Sequence, residues 1–307
     1  MTVIVRDFRP EDAAGLVRVK RAAAPYLVET EESVLHDVRS APPADGLRLL
    51  VAERDGEVVG WVKARIVHDS PEPGQGLATP TVHPDHRGRG AGGLLLRAAE
   101  EHLVAAGARA LYAWVQDRPE CRAFAETRGY RPSRTLRFQR LDLAAGVLPE
   151  PPAALPPGVE LRTAADFAAD PRPLFTADAE VTADEPSDIT VELTDYEEWL
   201  ADTWRDPLLD HALSSVVLVD GAVAAFTAAH TDGATRYVSG MTGTVRAHRG
   251  RGLATLAKAD SLRRARAAGY REAFTSNDSA NGPMLAVNRR FGYELCATEV
   301  GYVRTFA

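Results

Sequence analysis

The stretch HPDHRGRGAGG, His83 to Gly93, decides how this chain is read. It follows an apolar run and precedes a helical pattern. Its core, HRGRG, returns at His248–Gly252 within RAHRGRGLATL. Glycine has no Cβ, so such a turn bends sharply and lets a ligand approach the backbone. A strand, a basic Gly-rich turn and a helix together expose the first amides of that helix. Those amides form the positive end of its dipole and a nest for anions. Arg89 and Arg251 add charge at the rim. The turn has no Lys-Ser or Lys-Thr, so it is not a Walker A loop, and its glycines lack the GxGxxG spacing.

Working outward, the repeat extends beyond the turn. A helical stretch follows each copy and ends at Gly107 and Gly269. Next come TRGYR, with Gly129, and RFGYE, with Gly292. Upstream, Asp55-Gly56 and Asp220-Gly221 each join two alternating apolar runs, the pattern of a tight hairpin. Four landmarks recur in one order, which is the signature of an internal duplication. Five prolines between Pro149 and Pro157 separate the copies and favour extended chain. The expected organisation is a domain over 1–145, a Pro-rich linker over 146–157 and a second domain over 158–307. In copy one, Leu94, Leu95, Ala98, Ala99, Leu103 and Ala106 form one helical stripe. Strands interleaved with helices predict an α/β (α+β mixed) class: two tandem domains, each a mixed, mostly antiparallel sheet flanked by helices.

A net charge of −7 over 307 residues disfavours general binding to nucleic acid or anionic membranes. Two cysteines, Cys121 and Cys296, make neither a disulfide framework nor a metal-spaced pair and read as buried small hydrophobes. No metal site is expected. The start of the chain lacks the order of a signal peptide, and no apolar run reaches the roughly 20 residues of a membrane span. The expected location is the cytoplasm, with the chain a monomer or homodimer.

VHPDHRGRGAG and VRAHRGRGLA resemble the acyl-CoA pyrophosphate loop of the GNAT acyltransferases, whose pattern is Gln/Arg-x-x-Gly-x-Gly/Ala. Arg87, Gly90 and Gly92 meet it, and so do Arg249, Gly252 and Ala254. The later RGY and FGY resemble the family's LGF. The resemblance implies acetyl-CoA, or another acyl-CoA, as donor. It implies that the Thr79–Val82 and Thr242–Val245 runs splay a pair of strands around the pantetheine arm. The diphosphate would then rest on the turns: Val82, Arg87, Gly88, Arg89, Gly90 and Gly92 in copy one; Thr244, Val245, Arg249, Gly250, Arg251, Gly252, Leu253, Ala254 and Thr255 in copy two. A backbone N–H would stabilise the oxyanion, and holding the amine against the thioester would supply proximity.

The copies differ where chemistry should occur. Asn277, Asn281 and Asn288 resemble the family's asparagine series, so the resemblance points to copy two as catalytic and copy one as a structural or donor-holding partner. Where many members carry a Tyr that protonates the thiolate, copy one has Phe124 and Ala125 and copy two has Asn288. Tyr302 and Tyr293 are substitutes, and His230 and Asp232 are candidate bases for the amine proton. Tyr237 and Ser239 face the same region if the strand is so aligned. Asp178–Asp206 holds eleven acids and one base, Arg205. An acidic cover raises the local concentration of a cationic amine, and Glu180, Asp184 and Glu185 are the first candidates to contact it. The expected activity is transfer of an acyl group, acetyl by preference, to a primary amine of a small molecule. A donor carried on an acyl carrier protein, and an acyl-CoA-binding protein without turnover, stay open alternatives.

Overall fold

The computed structural model describes residues 2–150 and 152–306. Of the expected linker, Pro151 lies outside the described residues, as do the terminal residues of the two expected domains, Met1 and Ala307.

In the first half of the chain the elements are β1 (Ile4–Asp7), α1 (Ala13–Ala23), α2 (Glu31–Ser40), β2 (Arg48–Arg54), β3 (Glu57–Ile66), β4 (Gln75–Ala78), β5 (Thr81–Val82), α3 (Ala91–Ala105), β6 (Ala110–Gln116), α4 (Pro119–Glu126) and β7 (Arg131–Asp142). The second half gives β8 (Val159–Thr163), α5 (Arg172–Thr182), α6 (Tyr196–Trp199), β9 (Ser215–Val219), β10 (Ala222–Thr231), β11 (Arg236–Thr244), α7 (Leu253–Ala267), β12 (Glu272–Asp278), α8 (Gly282–Arg290) and β13 (Glu294–Thr305).

Local chemistry explains the repeated elements. Asp55 and Gly56 have φ of 56° and 80°, and Asp220 and Gly221 have 49° and 83°. Both central residues of each hairpin are therefore left-handed, as a type I′ turn requires. Helices α3 and α7 end alike: Gly107 and Gly269 sit at φ of 94° and 96°, and the following amide reaches back to close the cap. On α3 the buried stripe is Ala91, Leu95, Leu96, Ala99 and Leu103, while Leu94 is exposed.

The chain divides into two compact units that are not the two sequence halves. Unit 1 holds residues 1–136, 188–191 and 297–307; unit 2 holds 137–187 and 192–296. Strands β7 and β13, twelve residues each, change unit midway. In unit 1 the sheet order is β1-β2-β3-β4-β6, completed by the second half of β13. Unit 2 has β8-β9-β10-β11-β12, completed by the second half of β7. The pairs β4–β6 and β11–β12 are parallel, whereas β1–β2, β2–β3, β3–β4, β6–β13, β8–β9, β9–β10 and β10–β11 are antiparallel.

Both faces of each sheet are covered. In unit 1, Leu50 and Ala52 of β2 pack with Leu95 and Leu103 of α3. Leu49 and Val51, which alternate with them, pack on the other face, Leu49 with Leu16 of α1 and Val34 of α2 and Val51 with Val19 of α1. In unit 2, Tyr237 of β11 packs with Leu262 of α7 and Phe291, while Val216 and Phe226 face Leu174 of α5 and Trp199 of α6. This is the strand period of two. Cys121 is half-buried and Cys296 exposed, so Cys296 is not the buried hydrophobe expected. Among the described residues no helix is long and apolar enough to cross a membrane, and no group of three metal-ligating side chains is present.

Candidate functional site

Each unit has one parallel strand pair that separates along its length. In unit 1, β4 and β6 pair from Gln75↔Ala110 to Leu77↔Tyr112 and stop. Beyond that point β5 pairs with β3, at Gly60 and Trp61, and the Trp114 amide bonds the Thr79 hydroxyl at 3.0 Å. In unit 2, β11 and β12 pair from Arg236↔Glu272 to Val238↔Phe274, after which the Thr275 hydroxyl donates to the Ser239 carbonyl at 3.3 Å. The register of β11 against β10 shifts by one residue between Ser239 and Thr242. This bulge lies just ahead of the expected Thr242–Val245 run.

The turns that follow are alike. Gly88 and Gly90 have φ of 72° and 93°, Gly250 and Gly252 of 75° each, and a Cβ at any of the four would meet nothing within 4 Å. These positions need glycine for the backbone alone, and they border open space. The first amide bonded within α3 is Leu94, onto Gly90 at 3.1 Å; in α7 it is Leu256, onto Gly252 at 3.0 Å. The amides of Ala91, Gly92 and Gly93, and of Leu253, Ala254 and Thr255, precede those ladders. They fit a diphosphate.

The arginines divide by position. Arg87 and Arg249 fold back under their turns, each donating to a strand-end carbonyl at 3.2 Å: Val82 and Thr244. They brace the turn and do not line its open side. Arg89 and Arg251 are exposed at the rim, and Arg251 contacts His248 Nδ1 at 2.9 Å. Arg128, not anticipated from the sequence, stacks on Phe124 with its guanidinium 3.8 Å from the ring centre. It also lies beside Gly93 at the start of α3.

Unit 1 gathers further polar groups at the end of β6. Gln116 donates to the Ala23 carbonyl at 2.5 Å and the Tyr26 hydroxyl at 3.2 Å, and accepts from Arg87 at 3.3 Å. Tyr26 in turn donates to Glu299 at 2.6 Å. Glu299 stands on β13 directly opposite Gln116. Burial pushes its carboxyl above the usual range, against the opposing pull of Tyr26 and Lys20.

Several predicted site residues have other roles. Tyr302, expected beside the second turn, belongs to unit 1: it is fully buried in that core and donates to Glu126 at 2.7 Å. The cause is the exchanged strand β13. Asp232 accepts from the amides of Ala234, Thr235 and Arg236 at 3.0, 3.0 and 2.9 Å, so it holds a turn. His230 lies in β10 with Nε2 3.8 Å from Asp206, its ring against Gly240, and burial lowers its pKa. Asn281 caps α8 by accepting from Met284 at 3.3 Å.

The structure does bring Asn277 and Asn288 together, at 2.7 Å, but inside a buried network. Asn288 also donates to Gln139 at 2.9 Å and accepts from Lys258 at 2.6 Å. Tyr237 shares a hydrogen bond with Ser261 at 2.7 Å, and Ser239 contacts Tyr293 at 3.4 Å. On α5, Glu180 accepts from the Arg246 amide at 2.5 Å. Asp184 pairs with Arg246 at 2.8 Å and with Arg249 at 2.5 Å. Glu185 closes the end of that helix, its amide on Thr182 at 3.0 Å. The nearest cations for Glu180 and Asp184 are thus the chain's own.

A mixed sheet that opens beside a glycine turn and a helix start defines an acyl-CoA-type transferase fold, here present twice. Residues 16–130 match the model of the acetyltransferase (GNAT) family. A mycothiol acetyltransferase of Nocardiopsis dassonvillei is 31% identical over 240 residues, which is 73% of this chain and 69% of that protein. A mycothiol acetyltransferase of Geodermatophilus obscurus is 35% identical over 167 residues; the chain spans about half its length, 52%. A solved tandem GNAT protein from the clavulanic acid biosynthesis pathway shares the fold, with a TM-score of 0.73 at 22% identity over 99% of this chain and 98% of that one. The chain belongs to the acetyltransferase (GNAT) family, whose members use acetyl-CoA, as a tandem member, and it is an acetyltransferase.

Proposed function

We propose that unit 1 carries turnover, holding acetyl-CoA on the His86–Gly93 turn and acetylating a primary amine related to mycothiol. The observation that carries the choice of unit is the contrast between the two turns. In unit 2, Asp184 sets a carboxylate beside the turn, where it neutralises Arg246 and Arg249. In unit 1 no carboxylate pairs with Arg87, Arg89 or Arg128 among the described residues. The residues that match the family model also contain this turn and the separated strands. The acceptor class follows the names of the relatives. This reading reverses the order expected from the asparagine series.

In this reading the amides of Ala91, Gly92 and Gly93 hold the diphosphate, with Arg89 and Arg128 adding charge. The gap between β5 and β6 holds the arm, and the bound amine gains chiefly from proximity. Gly90→Val and Gly252→Val, made separately, test it. Thiol release from acetyl-CoA with a mycothiol-related amine should fall roughly 100-fold in the first and stay near wild type in the second, because a misplacement of about 1 Å costs that much. Loss in Gly252→Val with retention in Gly90→Val would reverse the assignment.

A further inference from the structure

We infer that Glu299 takes the proton from the acceptor amine, with Tyr26 and Gln116 positioning its carboxylate. This rests on the reading that unit 1 carries turnover. Three observations converge. Glu299 is a carboxylate on a strand whose neighbours Val300 and Tyr302 belong to the apolar core, and it is 8% exposed. Its hydrogen-bond donor is a phenol, not a cation. A purely structural acid in unit 1, such as Asp12, is instead held by an arginine, here Arg6 at 2.7 Å.

Position gives the cluster its role. Gln116 ends the strand that separates from β5, and its side chain is bonded to Arg87 of the donor turn. A thioester lying in the gap would be delivered beside that group. Tyr26 lies three residues past α1, on the segment that follows the first strand and helix. The cluster therefore joins the donor turn, the separated strand and α1.

The step balances without a further reactant. The amine lone pair forms the C–N bond to the thioester carbonyl carbon, and the nitrogen's proton passes to the Glu299 carboxylate. The C–S bond breaks, and its electron pair leaves with sulfur as a thiolate. A thiol with a pKa near 8.5 leaves readily as its anion. Glu299 then returns its proton, by way of solvent, to the thiolate or the medium. A base above the usual carboxylate range is better matched to an amine, and Tyr26 keeps it ionised. The titratable and charged groups around it are Lys20, which pairs with Glu29; Tyr26; Arg87 from the turn; and Cys121 with Arg118 and Glu120 at α4.

The test compares Glu299→Gln and Tyr26→Phe with wild type, the rate being expressed per free amine at each pH. Glu299→Gln should lower kcat roughly 100- to 10,000-fold, leave acetyl-CoA binding by calorimetry unchanged, and lose the acid limb of kcat/KM. Tyr26→Phe should move that limb to higher pH, since the carboxylate loses its donor; a merely structural role would not shift it. A Glu299→Gln enzyme within about threefold of wild type at every pH overturns the assignment, as does an unmoved limb in Tyr26→Phe. If Gly90→Val is inactive while Glu299→Gln is active, only Glu299 fails. If Gly252→Val alone is inactive, the reading of unit 1 fails and Glu299 with it.

Discussion

Lys258 is fully buried on α7, its Nζ 2.6 Å from Asn288 Oδ1, 3.4 Å from the Thr275 hydroxyl and 5.0 Å from the centre of the Tyr293 ring. None of these is a countercharge. Burial pushes its ammonium from the ordinary 10.5 down to about 7. Between those values the unfolded chain holds a proton that the folded chain has released. Stability therefore rises as pH climbs from about 7 towards 10.5, and the burial cost is felt in full below 7. Lys258→Met should flatten that rise in urea unfolding at pH 7 and pH 9; an equally steep rise in the variant would refute it. LATLAKADSL shows a Lys among alanines, but it does not say that the helix turns that Lys inward. Glu299 is a parallel case: its only sequence signal is one acid in the closing run CATEVGYV.

At the scale of elements, the two strand–turn–helix units were legible because their requirements are local. Positive φ at Gly88, Gly90, Gly250 and Gly252, and free amides before the first helical bond, follow from residue types a few positions apart. What the turns face was not legible. Helix α5 brings Asp184 against Arg246 and Arg249, and these guanidiniums hold its carboxyl down at about 2. The pairing thus persists across the working pH range. Asp184→Asn should release both arginines and strengthen CoA binding at the second turn. Calorimetry in a Gly90→Val background should show the gain, and a weaker or equal affinity would refute it.

For the whole molecule, the duplication was visible, but the exchange of closing strands was not. HRGRG, Asp-Gly and the capping glycines mark each copy without saying which sheet its last strand joins. The second half of β13 pairs with β6 from Glu299↔Gln116 to Thr305↔Ala110 and supplies Val300 and Tyr302 to the core of unit 1. Removing residues 297–307 should therefore destabilise unit 1, although these residues belong to the second copy in sequence. Hydrogen exchange should show protection lost in β6 and α3; loss confined to β12 and α7 would contradict this.

The amino-acid order by itself determined the features whose energetics are short-range: two hairpins, two glycine turns with their helix starts and caps, and with them the family. Tertiary structure alone decided which strand closes which sheet, which carboxylates meet the turn arginines, and that Tyr26 donates a hydrogen bond of 2.6 Å to Glu299, 273 residues away. The physical reason is one of range. A backbone torsion is set by its own residue and near neighbours. A strand's sheet partner and a buried group's environment are set by whatever the rest of the chain packs against them.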